Sequence, residues 1–119
     1  TKNFVFTNGS AEHVQNITNA LGITDLFEGV HDIVDSKYFP KPEAKAFDLM
    51  TKKFNIDPTE SLYIEDIAKN LSIGKKRGTI TCWLENTEHF GKIDSDKDFI
   101  DYKINNLSSF LKHIRELKY

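Results

Sequence analysis

Three short clusters carry residue types suited to handling a phosphoryl group. Thr7-Asn8-Gly9-Ser10 closes an apolar run, placing a hydroxyl and a glycine turn just ahead of a helical pattern. Backbone N–H groups and the helix dipole at such a turn favour an anion. The same residues also serve as an ordinary Asn-Gly turn with Ser10 as N-cap. Lys41 lies between Pro40 and Pro42, which stiffen its loop. An ammonium aimed in this way can neutralise a phosphoryl oxygen, though a solvated lysine would look no different in the sequence. Glu65-Asp66 ends a third apolar run. Adjacent carboxylates repel unless a cation or donors offset the charge. Hard oxygens of this kind suit Mg²⁺, which takes one or two carboxylates plus waters and a substrate phosphate. The alternative is that Asp66 caps the next helix and Glu65 faces solvent. Hydroxyl, lysine and carboxylate pair, in this order, are the parts of a phosphoryl-transfer site.

These clusters must be held by regular elements, and the chain alternates between two periods. Strands are predicted over 3–7, 30–34, 61–64, 79–84 and 102–104. Between them run amphipathic segments. The first starts at Ser10, carries Val14, Ile17, Thr18 and Leu21, and stops at Gly22. The second carries Ala44, Phe47, Leu49, Met50 and Phe54. A third spans 68–76 with Leu71 and Ile73 inward and Gly78 beyond it, and a last one spans 107–117 with Leu107, Phe110, Leu111, Ile114 and Leu117 on one face. A polar loop is expected over 85–98. Strand–helix alternation implies parallel strands with helical crossovers, hence an α/β, three-layer, Rossmann-like sheet. Ligands of such sheets bind beyond the carboxyl ends of the strands, where all three clusters fall.

The 119 residues suffice for one domain, 1–119, with a single core. Sixteen Lys+Arg against 18 Asp+Glu leave a net charge of −2, so no global field draws in nucleic acid. The apolar runs are far too short for a membrane span. A lone Cys82 excludes an internal disulfide and fits a reducing, cytoplasmic setting.

With these residues in place the chain resembles the haloacid dehalogenase superfamily of Mg²⁺-dependent phosphohydrolases. Phe4-Val5-Phe6-Thr7-Asn8-Gly9-Ser10 is similar to that family's second motif, Lys41-Pro42 to its third, and Leu62-Tyr63-Ile64-Glu65-Asp66 to its acidic fourth. Thr7-Asn8-Gly9-Ser10-Ala11-Glu12-His13, Leu21-Gly22-Ile23 and Glu65-Asp66-Ile67-Ala68-Lys69-Asn70-Leu71 resemble the pyrimidine 5′-nucleotidase-like branch. The resemblance implies that Thr7, Asn8 and Gly9 hold the phosphoryl group and that Lys41 balances charge on phosphate and nucleophile. It implies that Glu65 and Asp66 hold Mg²⁺, one of them directly. Glu65 replaces the commoner aspartate, which leaves open which carboxylate is the direct ligand. The implied substrate is a small phosphate monoester, in this branch a nucleoside monophosphate.

The family's chemistry starts from an Asp-x-Asp after an earlier strand, whose first aspartate attacks phosphorus and whose second moves protons. No Asp-x-Asp here follows an apolar strand; Asp94-Ser95-Asp96 lies in the polar loop, after the other motifs. The cap domain of this branch is missing as well. The first-motif strand would stand between strands 3–7 and 61–64. These strands must then pair directly, leave a gap of about 10 Å, or accept a strand from elsewhere. The expectation is the C-terminal part of a longer hydrolase, completed by its missing N-terminal segment, or else a non-catalytic phosphate-binding module completed by a second chain. A third reading is an unrelated ligand-binding α/β domain whose motifs are only caps and turns.

Overall fold

The computed structural model describes residues 2–86 and 88–110. The chain falls into two compact units, Thr1–Asp57 and Pro58–Tyr119. In the first unit, β1 (Phe4–Phe6) runs parallel to β2 (Gly29–His31), with Phe4 opposite Gly29 and Phe6 opposite His31. A parallel pair needs a crossover, which α1 (Ala11–Leu21) supplies. The expected stops hold: Ser10 Oγ accepts the His13 N–H at 3.0 Å, and Gly22 takes a φ of 70° that side chains resist. Only part of the expected apolar stripe is covered. Val14 and Thr18, one turn apart, are buried, whereas Ile17 and Leu21 are 45% and 65% exposed.

Helix α2 (Ala44–Phe54) buries Ala46, Phe47 and Met50. Phe6 meets Phe47 edge-on at 6.3 Å, and Phe4 stacks on Phe54 at 4.3 Å, so alternate residues of β1 fasten α2 along its length. The second strand differs from the expected 30–34. It ends at His31, because Asp32 and Asp35 bond each other's backbone N–H (3.0 and 2.9 Å) and bend the chain into a turn.

In the second unit, β3 (Leu62–Glu65), β4 (Ile80–Leu84) and β5 (Tyr102–Ile104) form a parallel sheet in the order β3-β4-β5. The helix expected over 68–76 begins as a tighter 3₁₀ turn, Ala68–Leu71, and continues as α3 (Ser72–Lys76). Ala68, Leu71 and Trp83 form the core, with Tyr63, Phe99 and Ile100 packed against it. Ile73 is buried as its spacing predicts. Burial pushes the Cys82 thiol up to about 11, so it stays protonated and unreactive. The polar loop holds a short helix, α4 (His89–Lys92). Residues 107–110 are helical, while Leu111, Ile114 and Leu117 of the expected last helix lie outside the described residues.

The architecture is α/β, built of parallel strands and crossover helices. Among the described residues, β1 pairs only with β2 and β3 only with β4, so each sheet ends on a strand with one open edge. No helix of the described residues is long and apolar enough to cross a membrane.

Candidate functional site

In the first unit the fold gathers two of the three clusters. The loop after β1 carries Thr7, Asn8 and Gly9, and Thr7 continues the strand register through its N–H to the His31 carbonyl at 3.0 Å. Lys41 arrives from the loop before α2. Its backbone N–H donates to Asn8 Oδ1 at 2.7 Å, and its Nζ donates to the Phe6 carbonyl at 3.0 Å. The ammonium lies 5.2 Å from the centre of the Phe6 ring, so the stem follows an apolar surface to the strand end.

The turn uses several of its own donors. Gly9 N–H goes to Thr7 Oγ1 at 2.9 Å, and Ala11 N–H goes to Asp32 Oδ2 at 3.0 Å. Gly9 therefore shapes the loop with its amide already bonded, and Ser10 is the N-cap that the simpler reading expects. Thr7 Oγ1 acts as acceptor within the loop, which leaves its hydroxyl proton as a donor to a ligand. His13 is exposed in the first turn of α1.

Asp32, which the sequence reading did not single out, braces this end of the unit. Its carboxylate accepts from Ala11 and Asp35, and the adjacent Ile33 N–H donates to the Gly9 carbonyl at 3.1 Å. Asp35 also pairs with Lys53 at 2.9 Å. The backbone N–H of Asp32, then the Lys53 ammonium, hold the Asp35 carboxyl below its ordinary range. Behind it, buried His31 shares a 2.9 Å bond with Ser36 Oγ, and desolvation lowers its pKa despite the nearby acids. An acidic residue just past a buried strand was the available signal for Asp32; its bracing of the α1 end depends on tertiary contact.

The third cluster belongs to the second unit. Glu65 is the last residue of β3 and is buried, while Asp66 is exposed. Asn70 Nδ2 donates to Glu65 Oε1 at 2.8 Å, and the Asp66 N–H reaches Oε2 at 3.2 Å. No side-chain cap closes the 3₁₀ turn that follows, so Asp66 does not play the capping role. Desolvation, with the Glu65 charge adding to it, holds the Tyr63 hydroxyl well above its usual range.

The donor set can be matched to a cation. Glu65 and Asp66 offer hard carboxylate oxygens, and only Glu65 is committed to protein donors within this cluster. No group of three or more His, Cys, Asp or Glu side chains gathers among the described residues. Mg²⁺ needs no such cage, since it keeps several waters beside one or two carboxylates, so the pair fits it.

In a parallel α/β fold, the polar clusters beyond the carboxyl ends of the strands lie where such folds bind ligands. Residues 2–78 match a model of haloacid dehalogenase-like hydrolases, and the chain belongs to that family. Solved structures agree on the fold. L-2-haloacid dehalogenase from Xanthobacter autotrophicus has a TM-score of 0.77 at 16% identity, covering 96% of this chain and 55% of that one. A magnesium-bound putative hydrolase of the family, YfnB from Bacillus subtilis, has a TM-score of 0.74 at 22% identity, covering 95% and 47%. A phosphatase of the family from Thermococcus onnurineus has a TM-score of 0.73 at 22% identity, covering 95% and 50%. The chain spans about half the length of the structures it matches.

Proposed function

We propose that this chain is the C-terminal part of a Mg²⁺-dependent phosphohydrolase acting on small phosphate monoesters, nucleoside monophosphates first among them. The observation that carries the reading is Lys41. Its backbone is tied to Asn8, and its ammonium is held 3.0 Å from the Phe6 carbonyl, at the strand end that bears Thr7. In this reading Thr7 and the Asn8 amide bind the phosphoryl oxygens, Gly9 shapes their loop, and Lys41 offsets charge. Glu65 and Asp66 hold Mg²⁺, which would supply charge neutralisation for the phosphate. The nucleophile lies outside this chain, because no Asp-x-Asp here follows an apolar strand.

The family relatives include dehalogenases as well as phosphatases. A haloacid brings a single negative charge and makes no demand for a cation, whereas a carboxylate pair offers hard ligands for one. A phosphate monoester beside two carboxylates requires a cation, which favours the phosphatase reading. A non-catalytic module completed by another chain is the second reading, favoured by the same missing nucleophile.

The test begins with the intact mass of the polypeptide as its source makes it, followed by phosphate release from nucleoside monophosphates with Mg²⁺ and with chelator. A mass well above 13.7 kDa and Mg²⁺-dependent release support the proposal. A chain of this mass without turnover supports the module. Chloride release from 2-haloacids in the absence of metal would overturn both.

A further inference from the structure

We infer that Trp83 and Asn86 are positioning residues for the Asp66 carboxylate. The inference deepens, and rests on, the reading of Asp66 as a Mg²⁺ ligand. The Asp66 carbonyl oxygen accepts two side-chain bonds, from Trp83 Nε1 at 2.9 Å and from Asn86 Nδ2 at 2.6 Å. Its N–H donates to Glu65 Oε2 at 3.2 Å. Both peptide groups flanking the Asp66 Cα are thereby held, and only the two side-chain torsions remain to be ordered.

Each donor is itself aimed. Trp83 is 5% exposed within the Ala68–Leu71 core, so packing of the ring sets the direction of its N–H. Asn86 Oδ1 accepts the Glu88 N–H at 2.9 Å, which orients the amide so that Nδ2 faces Asp66. Gly91 makes room for it: a Cβ there would stand 2.6 Å from Asn86 Oδ1. A buried indole needs some acceptor, so the Trp83 bond alone would be unremarkable. The second donor on the same oxygen, from a residue only partly buried, exceeds what satisfying the indole requires and takes up both lone pairs of the carbonyl.

Mg²⁺ demands near-ideal octahedral geometry, so a carboxylate on a fixed backbone binds it with less ordering than one on a mobile loop. Loosening the Asp66 carbonyl should weaken Mg²⁺ binding without removing a ligand.

The test uses the whole polypeptide that contains this chain. Trp83→Phe keeps a ring and removes the N–H, Asn86→Ala removes the other donor, and Asp66→Asn is the reference. Mg²⁺ is titrated calorimetrically without substrate, alongside its half-saturation in phosphate release and the melting temperature of the metal-free protein. Each positioning variant should bind Mg²⁺ about 10-fold more weakly, with kcat recovered at saturating metal. If Trp83→Phe does not fold, Asn86→Ala alone decides. Unchanged Mg²⁺ affinity in the positioning variants, while Asp66→Asn loses binding, overturns the positioning role and leaves the ligand reading standing. Normal Mg²⁺ affinity in Asp66→Asn overturns both.

Discussion

Lys41 is joined to Asn8 and Phe6 across 33 and 35 positions of sequence, whereas Glu65 and Asp66 are neighbours at the end of one strand. The first unit builds its candidate group from two loops, and backbone-to-side-chain bonds hold them together. The second unit starts from adjacent carboxylates and holds them with donors 5, 17 and 20 positions away: Asn70 on the Glu65 carboxylate, and Trp83 and Asn86 on the Asp66 backbone carbonyl. Assembly by loops makes the first group sensitive to turn chemistry. Assembly from a core strand makes the second sensitive to packing.

The largest expected effects fall on packing. Phe47 is 2% exposed and touches the Phe6 ring, while Leu71 is fully buried beside Trp83. Phe47→Ala should cost about 3–5 kcal/mol and Leu71→Ala about 2–5 kcal/mol, read from urea unfolding. Hydrogen exchange should separate the two units: Phe47→Ala should expose the amides of Thr7 and Lys41, and Leu71→Ala those of β3. A loss below about 1 kcal/mol at either position would mean that the unit does not rest on its core.

Next comes the turn chemistry. Asp32→Ala removes the acceptor for Ala11 and Asp35 and should cost about 1–3 kcal/mol. In the whole polypeptide it should weaken phosphate binding while leaving Mg²⁺ affinity unchanged. Equal loss of both would break the distinction between the units.

Mild acid, below pH 6.5, should act through His31 of the first unit. His31 has a folded pKa below its ordinary 6.5 because burial disfavours the imidazolium. Above 6.5 both states are neutral at this residue; below it the unfolded chain takes up a proton that the folded chain refuses. Stability is thus lost as pH falls from 6.5 toward the lowered folded value. The contribution of Asp35 persists to more acidic pH: it is full above the ordinary carboxylate value of 3.8 and is lost as pH falls from there toward the depressed folded value. Urea midpoints at about pH 7.5 and 5.5 should differ for the native chain and converge for His31→Gln, which retains a donor for Ser36. The smallest effect is at the cap: Ser10→Ala should cost about 1 kcal/mol in the same assay.

Much of this was legible in the residues. Ser10 and Gly22 mark the ends of α1 because capping and left-handed backbone are local requirements. Phe4-Val5-Phe6 reads as a buried strand for a similar reason. The apolar run at 30–34 misleads, since Asp32 and Asp35 bond each other and divert the chain at a place where hydrophobicity alone favours continuation. Ile17 and Leu21 fit the helical period yet remain exposed, because periodicity states which residues share a face and not what covers it. Of the candidate groups, types and order could be read directly, but the reach of Lys41 to Phe6 could not. Trp83 packs in the core of its unit; that its N–H also holds the Asp66 carbonyl follows only from tertiary packing.

If the chain belongs to a Mg²⁺-dependent phosphohydrolase, Lys41 offsets charge on the phosphate. Phosphate release from a nucleoside monophosphate by the whole polypeptide should be compared with that of Lys41→Met, which keeps the stem over Phe6 and removes the charge. Release should need Mg²⁺ and fall about 10²- to 10³-fold in the variant at an unchanged melting temperature. Release that is unaffected by Lys41→Met, or that proceeds equally in chelator, would contradict this reading.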